Sequence, residues 1–306
     1  MKKLLLTSFL AIIMATATYA APALIPGSTT VYWEIIDNTL YITGIGDMPD
    51  FEQNGSPWHS NRNAITKLDI AVGITAIGDY ALYDCGNLTV TLVIPNNVKT
   101  IGYRAFFWCS KLAGLVLGSA VEAIGEYAFY DCAGLTGTLV IPDNVKTIGR
   151  WAFGSCSNLE GLVLGGAVET IGDWTFYDCK ELKSITALPA TPPVVANDNA
   201  FDGSPAWAQN CTLYVPVGSE EAYKTAIGWN LFATNTYTGI TSATVSDLKV
   251  SVENGVIIIT GITQPQVSVF DMQGRQIFSG ITNRIEISQT GVYVVNIGNK
   301  AVKVVI

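Results

Sequence analysis

His59 is the single histidine of the chain, so acid–base or nucleophilic chemistry that needs an imidazole would have to use it. A Ser-His-Asp or Cys-His arrangement depends on such a residue. His59 follows Pro57-Trp58 in a segment that is typical of a solvated loop. No Gly-x-Ser-x-Gly nucleophile motif occurs in the sequence. These observations disfavour hydrolytic catalysis, and we expect a protein that is not an enzyme.

The spacing of the candidate ligand residues disfavours metal and cofactor chemistry. The six cysteines are not paired at the short spacing of a zinc site. Asn197-Asp198-Asn199, with Asp202-Gly203 nearby, offers oxygen ligands but lacks the loop length and terminal Glu of an EF-hand, so a turn is favoured. A glycine-rich phosphate-binding loop is also missing. We therefore expect no cofactor and no metal.

Composition narrows the class of partner. The 306 residues have a formal net charge of −8, and 14% of them are charged. Without a basic surface to replace counterions on phosphates, nucleic acid is excluded as a partner. The 29 glycines and the low charged fraction favour a β-rich, repetitive surface protein over a cytosolic enzyme.

The amino terminus has the pattern of a signal peptide. Lys2 and Lys3 precede an apolar run over residues 4–15, which is too short to span a bilayer comfortably. Small residues then predict cleavage between Ala20 and Ala21; the alternative is a buried helix. No cysteine follows the run to carry a lipid anchor, and no later stretch is long and apolar enough for a membrane span. The sequence thus predicts an exported protein.

A repeated phrase organises the middle of the chain. It begins Ile-Gly and ends at a cysteine, and the steps between these cysteines are 24, 23, 24 and 23 residues. The five cysteines are Cys85, Cys109, Cys132, Cys156 and Cys179. Each unit pairs a short apolar strand, such as Leu92-Val93-Ile94, with a segment whose apolar spacing suits one or two helical turns. One such unit cannot bury its own apolar face, so stacked units must form a solenoid.

The last sixty residues follow a different pattern. Short β-branched strands are predicted at 256–259, 267–270, 292–295 and 302–306, with turn residues between them. This pattern indicates a small β-sandwich. The predicted fold is therefore mainly β with short helical turns, a solenoid of stacked repeats followed by a small β-sandwich.

Residues 66–190 resemble the BspA-like leucine-rich repeats, whose unit is Ile-Gly-x-x-Ala-Phe-x-x-Cys-x-x-Leu linked by Ile-Pro strands. The flanking segments resemble the pieces that usually cap such repeats, which physically protect the open ends of a solenoid. The resulting division is a signal peptide at 1–20, an amino-terminal β cap at 21–65, about five repeats at 66–190, a closing cap at 191–240 and a β-sandwich at 245–306.

The carboxy-terminal segment resembles a sorting domain of type IX secretion. The resemblance lies in Phe270-Asp271-Met272-Gln273-Gly274-Arg275-Gln276-Ile277, in Gly291-Val292-Tyr293 and in a lysine-containing apolar end. It implies transport by export and sorting machinery across an outer membrane and attachment at the surface. The alternative is an ordinary β-sandwich without a signal role.

Together the resemblances imply a secreted or cell-surface, adhesin-like protein that binds a protein or glycan on a host or bacterial surface. The alternative is a structural or assembly protein that holds another bacterial surface component. An adhesin would bind host matrix proteins when purified alone, whereas an assembly protein would co-purify with a bacterial partner.

Two rows of equivalent residues are candidate binding surfaces. The residue two before each repeat cysteine is predicted to face outward or to lie at a groove edge, and an aromatic row there could stack sugar rings or anchor a protein. The row comprises Tyr83, Phe107, Tyr130 and Tyr177, with Gly154 at the fourth repeat. A second row, predicted on the exposed strand face, comprises Val93, Val116, Val140 and Val163. The alternative for the aromatic row is packing between repeats, and the alternative for the valine row is simple strand propensity.

Two further expectations follow from stacking. The repeat cysteines occupy one inward position, which favours buried free thiols over disulfides. The residues two before each repeat isoleucine alternate in charge through Lys99, Glu122, Lys146 and Glu169. Stacking predicts one line of these side chains with N-to-O distances near or below about 4 Å. The row is interpreted as structural pairing, with a polar docking strip as the alternative.

Overall fold

A computed structural model of the protein describes residues 21–195, 197–202, 211–232, 236–240, 249–253, 256–260, 266–271, 276–281, 284–287, 292–297 and 300–305. The predicted signal peptide, residues 1–20, lies outside the described residues. The described chain is mainly β, and repeated turns wind it into a solenoid of stacked coils.

An antiparallel sheet covers the amino-terminal end of the solenoid. Its strands are β1 (Ala23–Leu24), β2 (Val31–Ile36), β3 (Thr39–Gly44) and, parallel to β3, β5 (Lys67–Ile70). Asp37 and Asn38 join β2 to β3 with φ of 48° and 62°, the left-handed conformation of a two-residue hairpin turn. The sheet leads directly into the first coil through β4 (Gly46–Asp47).

One side of the solenoid is a seven-stranded parallel sheet of very short strands. Neighbouring coils place their buried isoleucines in exact register, for example Ile101 against Ile124 and Ile124 against Ile148. Its strands after β4 are β6 (Ile74–Ile77), β8 (Thr100–Ile101), β10 (Ala123–Ile124), β12 (Thr147–Ile148), β14 (Thr170–Ile171) and β16 (Val194–Val195).

A second side carries the longer apolar strands. They form a two-stranded and a five-stranded parallel sheet, in which leucine or isoleucine alternates inward with outward residues. The first sheet contains β7 (Thr91–Val93) and β9 (Gly114–Val116), and the second contains β11 (Gly137–Ile141), β13 (Leu159–Leu164), β15 (Ser184–Ala187), β17 (Thr212–Pro216) and β18 (Thr236–Ile240).

The third side consists of consecutive turns, where the expected helical turns do not form. In the first repeat the Tyr83 N–H donates to the Tyr80 carbonyl at 3.2 Å, and the Cys85 N–H donates to the Leu82 carbonyl at 3.2 Å. Left-handed residues stop each turn from continuing as a helix: φ is 54° at Tyr80 and 58° at Asp84. Other backbone N–H groups donate to the next coil instead, as from Leu82 to Ala105 at 2.6 Å.

The core is built from columns of identical positions. Phenylalanine rings stack through it nearly parallel, with centroids 5.0–5.6 Å apart. This column contains Leu82, Phe106, Phe129, Phe153, Phe176 and Phe201, all of them buried. Because each coil alone exposes its ring, burial arises only from stacking.

The repeat cysteines form a second buried column, and all six cysteines are free thiols, as expected. Each thiol from the second repeat onward donates to a carbonyl of the preceding coil, for example Cys109 Sγ to Leu82 at 3.3 Å and Cys132 Sγ to Phe106 at 3.3 Å. Burial raises the pKa of the Cys85 thiol to about 12. These thiols therefore act as small packing groups with weak hydrogen bonds.

The closing segment covers the carboxy-terminal end of the coils. Helix α1 (Glu220–Thr225) follows β17 and buries Tyr223, whose hydroxyl donates to the Pro189 carbonyl at 2.8 Å. The Trp229 indole N–H donates to the Pro193 carbonyl at 2.9 Å, and its ring packs against Phe201. These aromatics supply the apolar cover that the last coil lacks.

The carboxy-terminal module has its own small core, contributed by both of its sheets. One antiparallel sheet contains β19 (Lys249–Glu253), β20 (Val256–Thr260) and β23 (Arg284–Glu286). The other contains β21 (Gln266–Asp271), β22 (Gln276–Ile281), β24 (Val292–Ile297) and β25 (Lys300–Val305). The strand positions predicted from β-branched runs are confirmed.

Candidate binding surface

The turn side of the solenoid exposes a continuous network of aromatic rings, with Arg104 among them and Arg150 over the Trp174 ring at 4.8 Å. We call it the aromatic turn face, and its members contact one another from coil to coil. The face comprises Tyr80, Tyr103, Arg104, Trp108, Tyr127, Tyr130, Trp151, Trp174 and Tyr177. All of these side chains are half-buried except Trp108, which is exposed.

The predicted aromatic row is only partly at the surface. Tyr83 is 6% exposed and Phe107 is 7% exposed, so the expectation that they face outward is wrong for both. Their rings stack at 5.4 Å and are covered by neighbouring side chains, which removes them from solvent. Tyr130 and Tyr177 are half-buried and belong to the aromatic turn face.

The row missed by the sequence analysis lies five residues before each repeat cysteine. It contains Tyr80, Arg104, Tyr127, Trp151 and Trp174, which outline the outer edge of the aromatic turn face. The recurrence of large side chains at this one position was the available signal.

The fourth repeat shows how the face stays continuous. Gly154 has no ring at the aromatic position, and the Trp151 indole fills that space. An added Cβ at Gly154 would lie 2.7 Å from Trp151 Cε3 and 3.1 Å from Tyr130 Cδ2. Trp151 contacts both Tyr130, at 5.6 Å, and Tyr177, at 5.0 Å, and so bridges the gap.

Arg104 is surrounded by rings. Its Cζ lies 5.0 Å from the centroids of Tyr103 and Phe107 and 5.1 Å from that of Tyr127, which are cation–π distances. Its Nε is buried without a hydrogen-bond partner. The ion pairs found among the described residues do not include Arg104. The guanidinium is thus held in place by aromatic contacts while part of its hydrogen-bonding capacity is unused.

Trp108 is a bulky residue at a left-handed position where the other repeats carry small polar residues. The residue before each repeat cysteine is left-handed, and this position carries Asp84, Asp131, Ser155 and Asp178 in the other repeats. Aspartate tolerates that conformation, which explains its recurrence at this position. Trp108 adopts it with φ of 62° and is 44% exposed. A bulky residue there costs about 1–3 kcal/mol.

The predicted valine row lies on the outward side of the longer strands. Strand pairing aligns Val93 with Val116 and Val140 with Val163. Val93 is 52% exposed, and the other three are half-buried. The same row continues through Thr186 and Tyr214 in later strands. We call these six residues the strand face.

The predicted charge row is aligned but not paired. Lys99, Glu122, Lys146 and Glu169 are stacked by backbone bonds, such as Glu122 N to Lys99 O at 2.8 Å. All four side chains are exposed, and none takes part in the ion pairs found among the described residues. The expected N-to-O distances near 4 Å are wrong. Exposed ion pairs gain little over hydration, so stacking the backbone does not force the side chains together.

His59 and the acidic segment carry no assembled site. His59 is half-buried rather than fully solvated, and burial followed by the charge of Arg62 lowers its pKa. Arg62 instead pairs with Asp84 at 2.8 Å. Asn197 donates to Asp173 at 2.9 Å. In the part of the chain that the structure describes, no three metal-ligating side chains converge, and no helix has the length and hydropathy to cross a bilayer.

Comparison with known families finds a match to the repeats. Residues 75–206 match the BspA type leucine rich repeat region, in six copies. The additional turn beyond the five cysteine-containing repeats agrees with the closing segment, where Val195 and Phe201 continue the buried isoleucine and phenylalanine columns. No protein of curated function matches this chain.

Several solved structures are similar to the chain. A leucine rich repeat protein of T. pallidum has 28% sequence identity and a TM-score of 0.38, and the match covers 53% of this chain and 70% of that one. A leucine-rich repeat protein from Bacteroides ovatus has 22% identity and a TM-score of 0.45, over 61% of this chain and 54% of that one. A leucine rich cell surface protein from Faecalibacterium prausnitzii has 16% identity and a TM-score of 0.20, over 72% and 96% of the two chains.

Proposed function

We propose that this chain is a non-catalytic binding protein of a bacterial cell surface, whose aromatic turn face binds a protein ligand. The observation that carries the proposal is the continuous network of Tyr, Trp and Arg side chains at the solenoid surface. These three residue types dominate the energetics of protein interfaces. The BspA type repeats at 75–206 support a surface binding role.

A protein ligand fits the ring geometry better than a glycan. A sugar stacks on a free aromatic face, but several rings of the aromatic turn face stack on one another. Tyr127 and Trp151 stack at 6.1 Å and 9°, and Trp151 and Trp174 stack at 5.3 Å and 24°. Rings that stack on one another offer less free face to a sugar, whereas Tyr and Trp side chains suit the mixed apolar and hydrogen-bonded contacts of a protein interface.

The strand face is the weaker candidate surface. Valine and threonine are under-represented among the residues that dominate binding energy. The outward positions two residues before the valines alternate between threonine, at Thr91 and Thr138, and glycine, at Gly114 and Gly161, and the glycines offer no side chain to a partner. We therefore assign binding to the aromatic turn face and a packing role to the strand valines.

Surface location and export complete the proposal. The amino-terminal segment at 1–20 would act as the signal peptide, cleaved between Ala20 and Ala21. The carboxy-terminal module would attach the chain through type IX sorting at the outer membrane. The ligand would be a host or bacterial surface protein. An assembly protein that holds a bacterial surface component would use the same face, and the identity of the bound protein separates the two roles.

Paired variants test which surface binds. We expect Tyr127→Asn and Trp174→Asn to weaken binding of protein ligands selected on the full chain by at least about tenfold, since asparagine tolerates the left-handed backbone but lacks the ring. The matched controls are Val140→Thr and Val163→Thr, because threonine occupies the equivalent position at Thr186. These should change affinity less than about twofold, measured by surface plasmon resonance. Loss of binding in the valine variants alone would move the site to the strand face.

A further inference from the structure

The second repeat departs from the others at three surface positions. It carries Tyr103, Arg104 and Trp108 where the first repeat carries Asp79, Tyr80 and Asp84. Two carboxylates are thereby replaced by aromatic rings, and one tyrosine by an arginine. The change places a cation among several rings of the aromatic turn face, and no acidic side chain is paired to it among the described residues.

Trp108 and Arg104 share one neighbour. The Trp108 indole lies 4.9 Å from the Phe107 ring, and the Arg104 Cζ lies 5.0 Å from that same ring. Both side chains therefore pack against the buried Phe107 ring. Lys111, three residues beyond Trp108, donates to Asn87 at 2.9 Å and adds a second positive charge nearby in the chain.

Local backbone preference does not explain Trp108. It is exposed, it is left-handed, and aspartate or serine fills the same position in the four other repeats. Arg104 likewise holds a buried Nε without a partner. An exposed apolar ring beside an incompletely bonded cation is suited to a ligand that supplies an apolar side chain and a carboxylate together.

We propose that Trp108 and Arg104 anchor an acidic segment of the protein partner, with an apolar side chain packed on the Trp108 indole and an Asp or Glu carboxylate paired with the Arg104 guanidinium. This proposal rests on the proposed function, since it places the binding energy at one point of the aromatic turn face. The nearby acidic residues do not compete for the cation: Asp79 accepts the Tyr103 N–H at 2.6 Å, and Glu126 is exposed and absent from the ion pairs of the described residues.

The test uses a phage-displayed library of random peptides selected on the full chain, with affinities of the selected peptides then measured for variants. We expect selected peptides to be enriched in Asp or Glu next to an apolar residue. Trp108→Asp should weaken their binding at least about tenfold and leave the melting temperature unchanged or higher, because aspartate is the residue of the neighbouring repeats. Arg104→Gln should remove the acidic preference, whereas Arg104→Lys should retain part of it.

The remaining outcomes separate failure of the anchor from failure of the proposed function. Peptides that depend on Tyr127 and Trp174 but not on Trp108 or Arg104 would overturn this inference and leave the proposed function standing. Peptides indifferent to the whole aromatic turn face would overturn both. Peptides that need Trp108 but show no acidic preference would overturn the carboxylate pairing. A library whose selected peptides bind the full chain no better than they bind the Trp108→Asp variant would contradict the anchor itself.

Discussion

Phe129→Ala is expected to lower the free energy of unfolding by about 3–5 kcal/mol, the usual loss for a fully buried phenylalanine. Phe129 stacks on Phe106 at 5.0 Å and on Phe153 at 5.2 Å, so its removal leaves a cavity at the centre of the column. In a stack held by nearest-neighbour contacts, both adjoining interfaces weaken. Thermal and chemical unfolding followed by circular dichroism measure the loss, which should lower the melting temperature by about 10 °C.

The chain supplies its own control for that substitution. Leu82 occupies the same column position in the first repeat and is fully buried there. Phe129→Leu should therefore cost less than about 2 kcal/mol, since most of the buried volume is kept. A loss as small for alanine as for leucine would show that the phenylalanine column does not hold the repeats together.

Gly125→Ala is expected to destabilise the protein by about 3 kcal/mol, at the upper end of the overpacking range. An added Cβ would lie 2.7 Å from the Gly102 carbonyl carbon and 2.8 Å from the Ile101 carbonyl oxygen. Both neighbours are backbone atoms, and Gly125 N donates to that same Ile101 oxygen at 2.8 Å. Relief would require separating two coils. Urea unfolding of the full chain measures the change.

Gly166→Ala is the matched control. Gly166 is exposed, its φ is not positive, and the nearest atom to an added Cβ is Asp143 Oδ1 at 3.7 Å. We expect its stability to change by less than about 0.5 kcal/mol. Equal effects at the two glycines would contradict close backbone approach as the reason for the glycine at Gly125.

The period and the inward positions were predictable because every coil repeats one environment. A residue type that suits the core in one coil suits it in the next, so Ile77 and Cys85 mark columns that can be identified from spacing alone. The backbone between them was not predictable in the same way. The spacing of apolar residues indicates which side chains point inward. Both a helix and a series of turns with left-handed residues are compatible with the same spacing. The recurring aspartate at Asp84 was the local signal for the turns.

The binding surface was harder to predict for a physical reason. Whether a ring such as Phe107 is covered depends on the side chains that the adjacent coil places around it, which the sequence of one repeat does not contain. The charge row shows the same limit: stacking aligns the backbones of Lys99 and Glu122, but their exposed side chains follow solvation rather than alignment. Buried columns are therefore predictable from type and spacing, whereas surface geometry requires the neighbouring coils.

Hydroxyl-radical footprinting of the full chain, with and without a selected protein ligand, tests the central claim that the aromatic turn face is the binding surface. Exposed aromatic side chains react readily, so the free chain should be modified at Trp108 and, more weakly, at Tyr127 and Trp174. Ligand binding should protect these three residues and leave the modification of Tyr214 on the strand face unchanged. Protection of Tyr214 with no protection of Trp108, Tyr127 or Trp174 would contradict the account.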